Sequence, residues 1–195
     1  MGQINYLRCF ISNAAGKTRA FSSLLRLKGS DEYVWNANHQ EAFEALKAYL
    51  SKPPVMAAPI PGRPLKLYIV AEPGSLSCLL AQDNDVGQER AIFYLSRSLN
   101  DAECNYPFIE RLCLTLYFAL IKLRHYILVY TIFVIAQSNI LKFMLSSPLL
   151  KGRISKWSLA LVQFDLVYVL QKSVKGQALD NLLRFSSVEV IFRWF

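Results

Sequence analysis

The chain has few of the features that mark secreted, membrane-spanning or zinc-binding proteins. Its four cysteines (Cys9, Cys78, Cys104 and Cys113) show no CxxC spacing, and its two histidines lie far from any cysteine pair, which argues against a zinc site. The start MGQINYLRCF lacks a basic residue cluster followed by an apolar stretch, so no secretory signal is expected. The best candidate for a membrane span, YILVYTIFVIA at 126–136, has 11 residues, whereas a spanning helix needs about 20. We therefore expect an intracellular protein, either cytoplasmic or nuclear, with reduced thiols and no membrane partner.

Acidic residues are scarce, with 14 Asp and Glu against 22 Lys and Arg and a net charge of +8. Residues 1–28 carry five basic residues and no acid, residues 31–110 carry six basic and 11 acidic residues, and residues 142–184 carry seven basic and two acidic residues. Two basic ends around an acidic middle permit contact with a polyanion, although ordinary solvated surface has the same appearance. A length of 195 residues with 53% hydrophobic content suits one compact domain with a helical appendage and excludes general disorder.

The N-terminal part of the chain has helical periodicity. Apolar residues at helical spacing predict helix over 4–28, and His39, Phe43, Leu46 and Leu50 form the stripe of a second helix. The stretch 52–64, KPPVMAAPIPGRP, contains five prolines and one glycine, which excludes regular helix and is typical of a connector.

After the connector the period changes to that of strands. The short apolar runs 65–71, 76–82 and 91–96 are separated by turn sequences and predict an antiparallel meander. Helical spacing returns over 106–124. A strand follows at 131–136, and its lack of alternation predicts burial on both faces. The remaining elements are helices at 138–145 and 153–163, a strand at 164–170 and a helix at 177–185. The order β-β-β-α-β-α-α-β-α predicts an α/β fold with a mixed five-stranded sheet covered by helices.

Three strings give this order a family resemblance. The strings PPVMAAPIPGRPLKLYIVA, ERAIFYLSRSLNDAECNYPFIERLCLTLYFALIKLRHYI and SPLLKGRISKWSLALVQFDLVYVLQKSVKGQALDNLL resemble the ribonuclease H-like domain of plant gypsy-type long-terminal-repeat retrotransposon polyproteins. The segment VWNANHQEAFEALKAYLSKPPV, with NYLRCFI before it, resembles the end of a reverse-transcriptase thumb. The resemblance implies a helical thumb or connection at 1–51, a linker at 52–64, a ribonuclease H-like domain at 65–185 and an unmatched tail at 186–195.

The resemblance also implies where the metal-binding carboxylates of active members would lie. Active ribonuclease H domains hold two Mg²⁺ ions through carboxylate oxygens. The matching positions here are Val70 in LYIVAE, Leu112 in the helix, Gln137 or Asn139 after the fourth strand, and Asn181 in KGQALDN. Every one of these positions lacks a carboxylate, so we expect no catalytic residue, no bound metal and no cofactor. Glu110 lies two residues from Leu112, about 200° around a helix, and should point elsewhere.

Three functional hypotheses follow from the resemblance. The first is a section of a reverse transcriptase and ribonuclease H polyprotein that supports an RNA–DNA hybrid without cutting it, next to other domains of the polyprotein. The second is an active hybrid ribonuclease, an endonuclease, in which Glu72, Glu110 and Asp180 converge. The third is a structural or unexpressed retroelement relic. No YxDD-type strand is present, so this chain alone is not expected to act as an RNA-directed DNA polymerase.

Other candidate residues are assigned by their chemistry. The basic side chains best suited to phosphate contacts follow the fourth strand: Lys151, Arg153, Lys156, Lys172 and Lys175. The aromatic residues Trp35, Trp157, Tyr106 and Tyr126 could stack on bases, but in apolar runs they are more typical of core. The remaining motifs favour structural roles. AAGKT (14–18) lacks the first glycine of a phosphate loop and is interpreted as a solvated helix segment. Glu72 is interpreted as a surface acid and His125 as a helix cap.

Overall fold

The computed structural model describes residues 8–24, 27, 32, 34–51, 55–146 and 152–170. Within these ranges the helices are α1 (Ala14–Lys17), α2 (Ala37–Leu50), α3 (Asp101–Cys104), α4 (Phe108–Lys122), α5 (Arg124–Ile127), α6 (Ile140–Ser146) and α7 (Arg153–Leu161). The strands are β1 (Leu65–Ala71), β2 (Ser75–Asp83), β3 (Glu89–Ser98), β4 (Thr131–Ala136) and β5 (Asp165–Leu170). The helix predicted at 177–185 and the tail at 186–195 lie outside the described residues.

The five strands form one mixed sheet in the order β3-β2-β1-β4-β5. The first three pair antiparallel, while β4 lies parallel to both β1 and β5. A parallel neighbour requires a crossover, and the 15-residue helix α4 provides it between β3 and β4. The predicted antiparallel meander and mixed five-stranded sheet are confirmed, and each predicted strand has its counterpart at nearly the same residues.

The two faces of the sheet bury different partners. One face, here called the helix face, carries Leu67, Ile69 and Val134 and packs in one core with Leu116 and Leu120 of α4. The other face, here called the outer face, presents a smaller cluster that includes Tyr68, Leu79, Tyr94 and Ile135. Side chains alternate along each strand, so neighbouring residues lie on opposite faces. This alternation determines the face on which each candidate site residue of a strand lies. None of the helices in the described ranges has the length and apolarity that a bilayer crossing requires.

The segment before α2 is not the helix that its sequence predicts. Its described part contains two 3₁₀ turns, Arg8–Phe10 and Arg19–Ser22, on either side of the four-residue α1. Asn13 interrupts any helix because it takes a left-handed conformation with φ of 45°, which residues with a side chain adopt at a cost. The prediction of helix over 4–28 is therefore wrong for these residues, which form short separate turns.

Asn13 attaches this segment to the outer face of the sheet. Its side-chain oxygen accepts hydrogen bonds from the Gly16 amide and the Ser77 hydroxyl, both at 3.0 Å. Its side-chain amide donates to both carboxylate oxygens of Glu72, each at 3.1 Å. The Ala15 amide donates to Ser96 on β3 at 3.0 Å. Residues 14–18 are thus partly buried against the sheet, and the prediction of a solvated helix segment there is wrong.

The described part of the connector, residues 55–64, has no helix or strand but is bound to the sheet edge. The Ala57 amide donates to the Ala91 carbonyl at 2.8 Å. Gln82, which is 3% exposed, accepts from the Ile60 amide and donates to the carbonyls of Ile60 and Arg63. These bonds satisfy the backbone of a proline-rich stretch that cannot pair as a strand.

We predict that Asn13→Ala lowers the free energy of unfolding by about 2 kcal/mol or more. The change removes the cap of α1 and leaves the buried Ser77 hydroxyl without its acceptor, and each loss costs about 1 kcal/mol or more. Chemical denaturation measures the effect. The exposed Gln88→Ala should change stability by less than about 0.5 kcal/mol, and equal stability of the two variants would contradict the anchoring role.

A second prediction concerns Lys17, whose ammonium donates to the carbonyl and hydroxyl of Ser12 and lies 4.6 Å from the centre of the Tyr49 ring. Burial lowers the pKa of Lys17 to about 8, although Glu72 nearby opposes the shift. Between about pH 8 and 10.5 the unfolded chain then holds a proton that the folded chain has released, so this residue makes folding more favourable as the pH rises. As the pH rises through this window, the wild type should gain stability relative to Lys17→Met, measured as the difference in their free energies of unfolding. A pH-independent difference would contradict the shift.

Candidate functional site

Two of the positions that the resemblance assigns to carboxylates pack on opposite sides of the sheet. Val70, near the end of β1, packs against the outer-face cluster. Leu112, in the first half of α4, is 1% exposed and belongs to the core on the helix face. Because paired catalytic metal ions lie about 4 Å apart, their ligands must converge on one volume. The side chains at these two positions belong to separate clusters.

The third position lies at the loop after β4, where side chains have structural roles. The Asn139 side-chain oxygen accepts a hydrogen bond from the Lys142 amide at 2.9 Å. This bond caps the first turn of α6, as asparagine commonly does. Gln137, the alternative match, is exposed. Asn181 and the neighbouring Asp180 lie outside the described residues.

Glu110 is paired with a guanidinium and does not face the sheet. Its Oε2 atom accepts from Nε and Nη2 of Arg153, at 2.9 and 2.6 Å. The Arg153 guanidinium carbon lies 3.9 Å from the centre of the Tyr106 ring. The hydrogen bond to Glu110 raises the pKa of Arg153. The predicted divergence of Glu110 from Leu112 is confirmed, and the pair joins α7 to the first turn of α4.

Glu72 is committed to the N-terminal segment. Besides its two bonds from Asn13, it accepts from the Ser75 hydroxyl at 2.9 Å. Its carbonyl accepts from Arg111 at 2.9 Å. The interpretation of Glu72 as an isolated surface acid is therefore wrong. The sequence contained no signal for this network, because Asn13 and Glu72 are 59 residues apart.

The donor set in the described residues does not fit a pair of Mg²⁺ ions. Mg²⁺ requires oxygen ligands in a nearly octahedral arrangement, whereas Val70 and Leu112 carry hydrocarbon side chains. Across the ranges that the structure covers, no three or more His, Cys, Asp or Glu side chains group closely enough to hold a metal ion. The two carboxylates nearest in sequence, Glu72 and Glu110, bind Asn13 and Arg153 instead.

Buried thiols and hydroxyls offer no alternative nucleophile. Burial raises the pKa of Cys78 and of Cys113 to about 12, which leaves both protonated and unreactive near neutral pH. All four cysteines are free. The Ser96 hydroxyl lies on the outer face and accepts from the Ala15 amide.

The basic residues predicted to contact phosphates differ in their availability. Lys156 is exposed on α7, whereas the charge of Arg153 is compensated by Glu110. Lys151, Lys172 and Lys175 lie outside the described residues. Of this group, Lys156 is therefore the described residue best placed to meet an anion.

The aromatic candidates divide between core and surface. Trp157 is 7% exposed and stacks on Tyr117 with ring centres 6.1 Å apart, and Tyr106 packs beside it, so the core prediction is confirmed for both. Trp35 and Tyr126 are each 40% exposed, and the core prediction is wrong for them. Tyr126 stands against Phe93 with ring centres 5.9 Å apart.

Comparisons with known proteins agree with this fold. A foamy viral protease-reverse transcriptase, dRH, in complex with double-stranded DNA superimposes with a TM-score of 0.72 at 21% identity, over 89% of this chain and 31% of its own. A foamy viral protease-reverse transcriptase in complex with RNA/DNA hybrid gives a TM-score of 0.67 at 22% identity, over 89% of this chain and 24% of its own. At these identities the likeness establishes the fold.

Sequence similarity extends beyond the fold to a polyprotein family. The Retrovirus-related Pol polyprotein from transposon opus of Drosophila melanogaster is 29% identical over 194 aligned residues, which cover 94% of this chain and 19% of the polyprotein. The chain thus spans less than a fifth of that relative. The family described as "RNase H-like domain found in reverse transcriptase" matches residues 35–134. The chain belongs to this family of RNase H-like domains of retroelement reverse transcriptases.

Proposed function

We propose that this chain is the RNase H-like connection section of a gypsy-type long-terminal-repeat retrotransposon polyprotein of plant type, and that it supports an RNA–DNA hybrid without cleaving it. In this proposal residues 1–51 are the end of the thumb, 52–64 a linker and 65–185 the RNase H-like domain, with 186–195 as an unrelated tail. The gypsy type and plant origin rest on the three strings quoted above. Its partners are the hybrid and the other domains of the polyprotein.

The absence of cleavage is supported chiefly by the positions of Val70 and Leu112. Neither side chain can bind a metal ion, and they lie on opposite faces of the sheet. Glu72 and Glu110 are engaged by Asn13 and Arg153, so neither replaces the missing ligands without breaking other bonds. Mg²⁺, which active members use, is therefore not part of the proposed function.

Binding of a hybrid is supported by the charge of the second half of the chain. From Arg111 to Phe164 the sequence has seven basic residues and no acidic one. Phosphate contacts provide affinity without sequence choice, which suits a section that must accept any template. The five basic residues Lys151, Arg153, Lys156, Lys172 and Lys175 are proposed to contribute.

An active hybrid ribonuclease is the second candidate, and the family relation favours it. It requires Glu72, Glu110 and Asp180 to come together around the metal ions. Glu72 and Glu110 would first have to leave their present partners. Their carboxylates would then have to come close enough together to bind two metal ions about 4 Å apart. A structural relic is the third candidate, and absent or salt-insensitive hybrid binding would favour it.

We predict that restoring carboxylates does not restore a metal site. Leu112→Glu should lower the free energy of unfolding by about 3 to 5 kcal/mol, because it places a charge in the core. The control Leu112→Met should cost less than about 1.5 kcal/mol. For the double variant Val70→Asp, Leu112→Glu, the melting temperature should be the same with and without about 10 mM Mg²⁺, since bound ligand would raise it. A Mg²⁺-dependent rise would show that the two positions do converge.

We also predict that the purified chain binds an RNA–DNA hybrid but leaves its RNA strand intact when Mg²⁺ or Mn²⁺ is added. Binding, followed by fluorescence anisotropy, should persist in EDTA and weaken steeply with salt. Cleavage is followed by denaturing electrophoresis of end-labelled RNA.

The control separates the chain's own activity from a contaminant. Any trace cleavage should be unchanged in Glu72→Gln and Glu110→Gln, which keep the shape of both side chains and remove their charge. Metal-dependent cleavage that both substitutions abolish would overturn the proposal and establish the second candidate.

A further inference from the structure

The end of α4 forms a basic and aromatic surface apart from the five basic residues proposed above to contact phosphates. It consists of Lys122, Arg124, His125 and Tyr126, here called the corner patch. Leu123 and Ile127, at 1% and 0% exposure, anchor the corner to the core on the helix face. Because these two anchors are four residues apart and face inward, the three residues between them are held at the surface. All four patch residues are exposed.

Its charges are uncompensated. Within the described residues no carboxylate lies within 4 Å of Lys122, Arg124 or His125, whereas Arg97, Arg153 and Lys66 each form an ion pair. The patch also lies in the stretch 111–164 that has no acidic residue. An anion that binds Lys122 and Arg124 therefore does not have to displace an internal partner. Such displacement would reduce the net free energy of binding.

Tyr126 gives the patch an aromatic surface of fixed orientation. Its ring is 40% exposed and rests against Phe93. A partly exposed ring next to cations is a suitable platform for a sugar or base, and phosphates on either side would meet the basic groups.

We propose that the corner patch binds the phosphate backbone of a nucleic acid, as a contact region separate from α7. This inference rests on the proposed function and adds a second surface to it. Lys122 is 12 residues after Glu110, so about 18 Å of helix separate the patch from the Arg153 pair. That distance exceeds the screening length of about 8 Å at physiological ionic strength, so the charges of the two regions are largely screened from each other. It equals roughly five base steps of a duplex at about 3.4 Å each.

The test compares three double variants that each remove two positive charges. The patch variant combines Lys122→Gln with Arg124→Gln. The α7 variant combines Lys156→Gln with Lys151→Gln, which lies two residues before α7 in the sequence. The control combines Lys47→Gln with Arg90→Gln at exposed positions elsewhere. Binding of a short double-stranded DNA and of an RNA–DNA hybrid is measured by anisotropy between about 50 and 200 mM salt. Thermal unfolding confirms that each variant is folded.

The patch variant should bind at least about fivefold more weakly at about 100 mM salt. The plot of log K against log salt should become less steep by about two units, because each lost phosphate contact contributes about 0.9 to the steepness. The control should bind less than about twofold more weakly, with its slope unchanged. Tyr126→Leu should lower the affinity and leave the slope unchanged, because it removes no charge.

Two outcomes would overturn the inference. If the patch variant behaves like the control while the α7 variant loses affinity, the corner patch is not a nucleic-acid contact and the proposed function stands; the exposed Leu128 and Val129 beside it would then favour a protein partner. If the wild type binds neither duplex even at low salt, the inference and the binding part of the proposed function fail together.

Discussion

Burial of one face of α4 against the sheet determines the direction of every charged group on that helix. Leu112, Leu116 and Leu120 recur at four-residue intervals and are at most 1% exposed, so the helix cannot rotate without removing them from the core. Each buried leucine contributes about 2 kcal/mol, which no surface ion pair can match. Glu110 consequently faces α7, and Lys122 ends the helix at the solvent.

This constraint also bears on the proposed absence of metal ligands, because the positions concerned contribute to packing. Leu112 adds one more apolar side chain to the core. The nearest acid on the helix, Glu110, is already bound to Arg153. The chain has thus used for packing a position at which active relatives are implied to hold a metal ligand. The same holds on β1, where Val70 contributes to the outer-face cluster.

Electrostatics divides the molecule into paired and unpaired regions. Most acidic residues precede Arg111, and several of them pair with basic side chains, including Lys66, Arg97 and Arg153. Beyond Glu110 the described chain has a single acid, Asp165, which accepts a hydrogen bond from Thr131. Basic side chains in this half are therefore mostly available to an external anion, and the two regions proposed to contact nucleic acid both lie there.

The amino-acid sequence by itself determined the five strands, the long helix α4 and the order of the elements, because alternation and 3.6-residue periodicity are local properties that burial of one face imposes. It also indicated that Leu112 and Glu110 diverge, since helix geometry separates them. Only the tertiary structure decided that Asn13 binds Glu72 and Ser77, that Arg153 neutralises Glu110, and that Trp35 and Tyr126 stand at the surface. These contacts join residues up to 64 positions apart, and no local pattern records which side chains the folded sheet brings together.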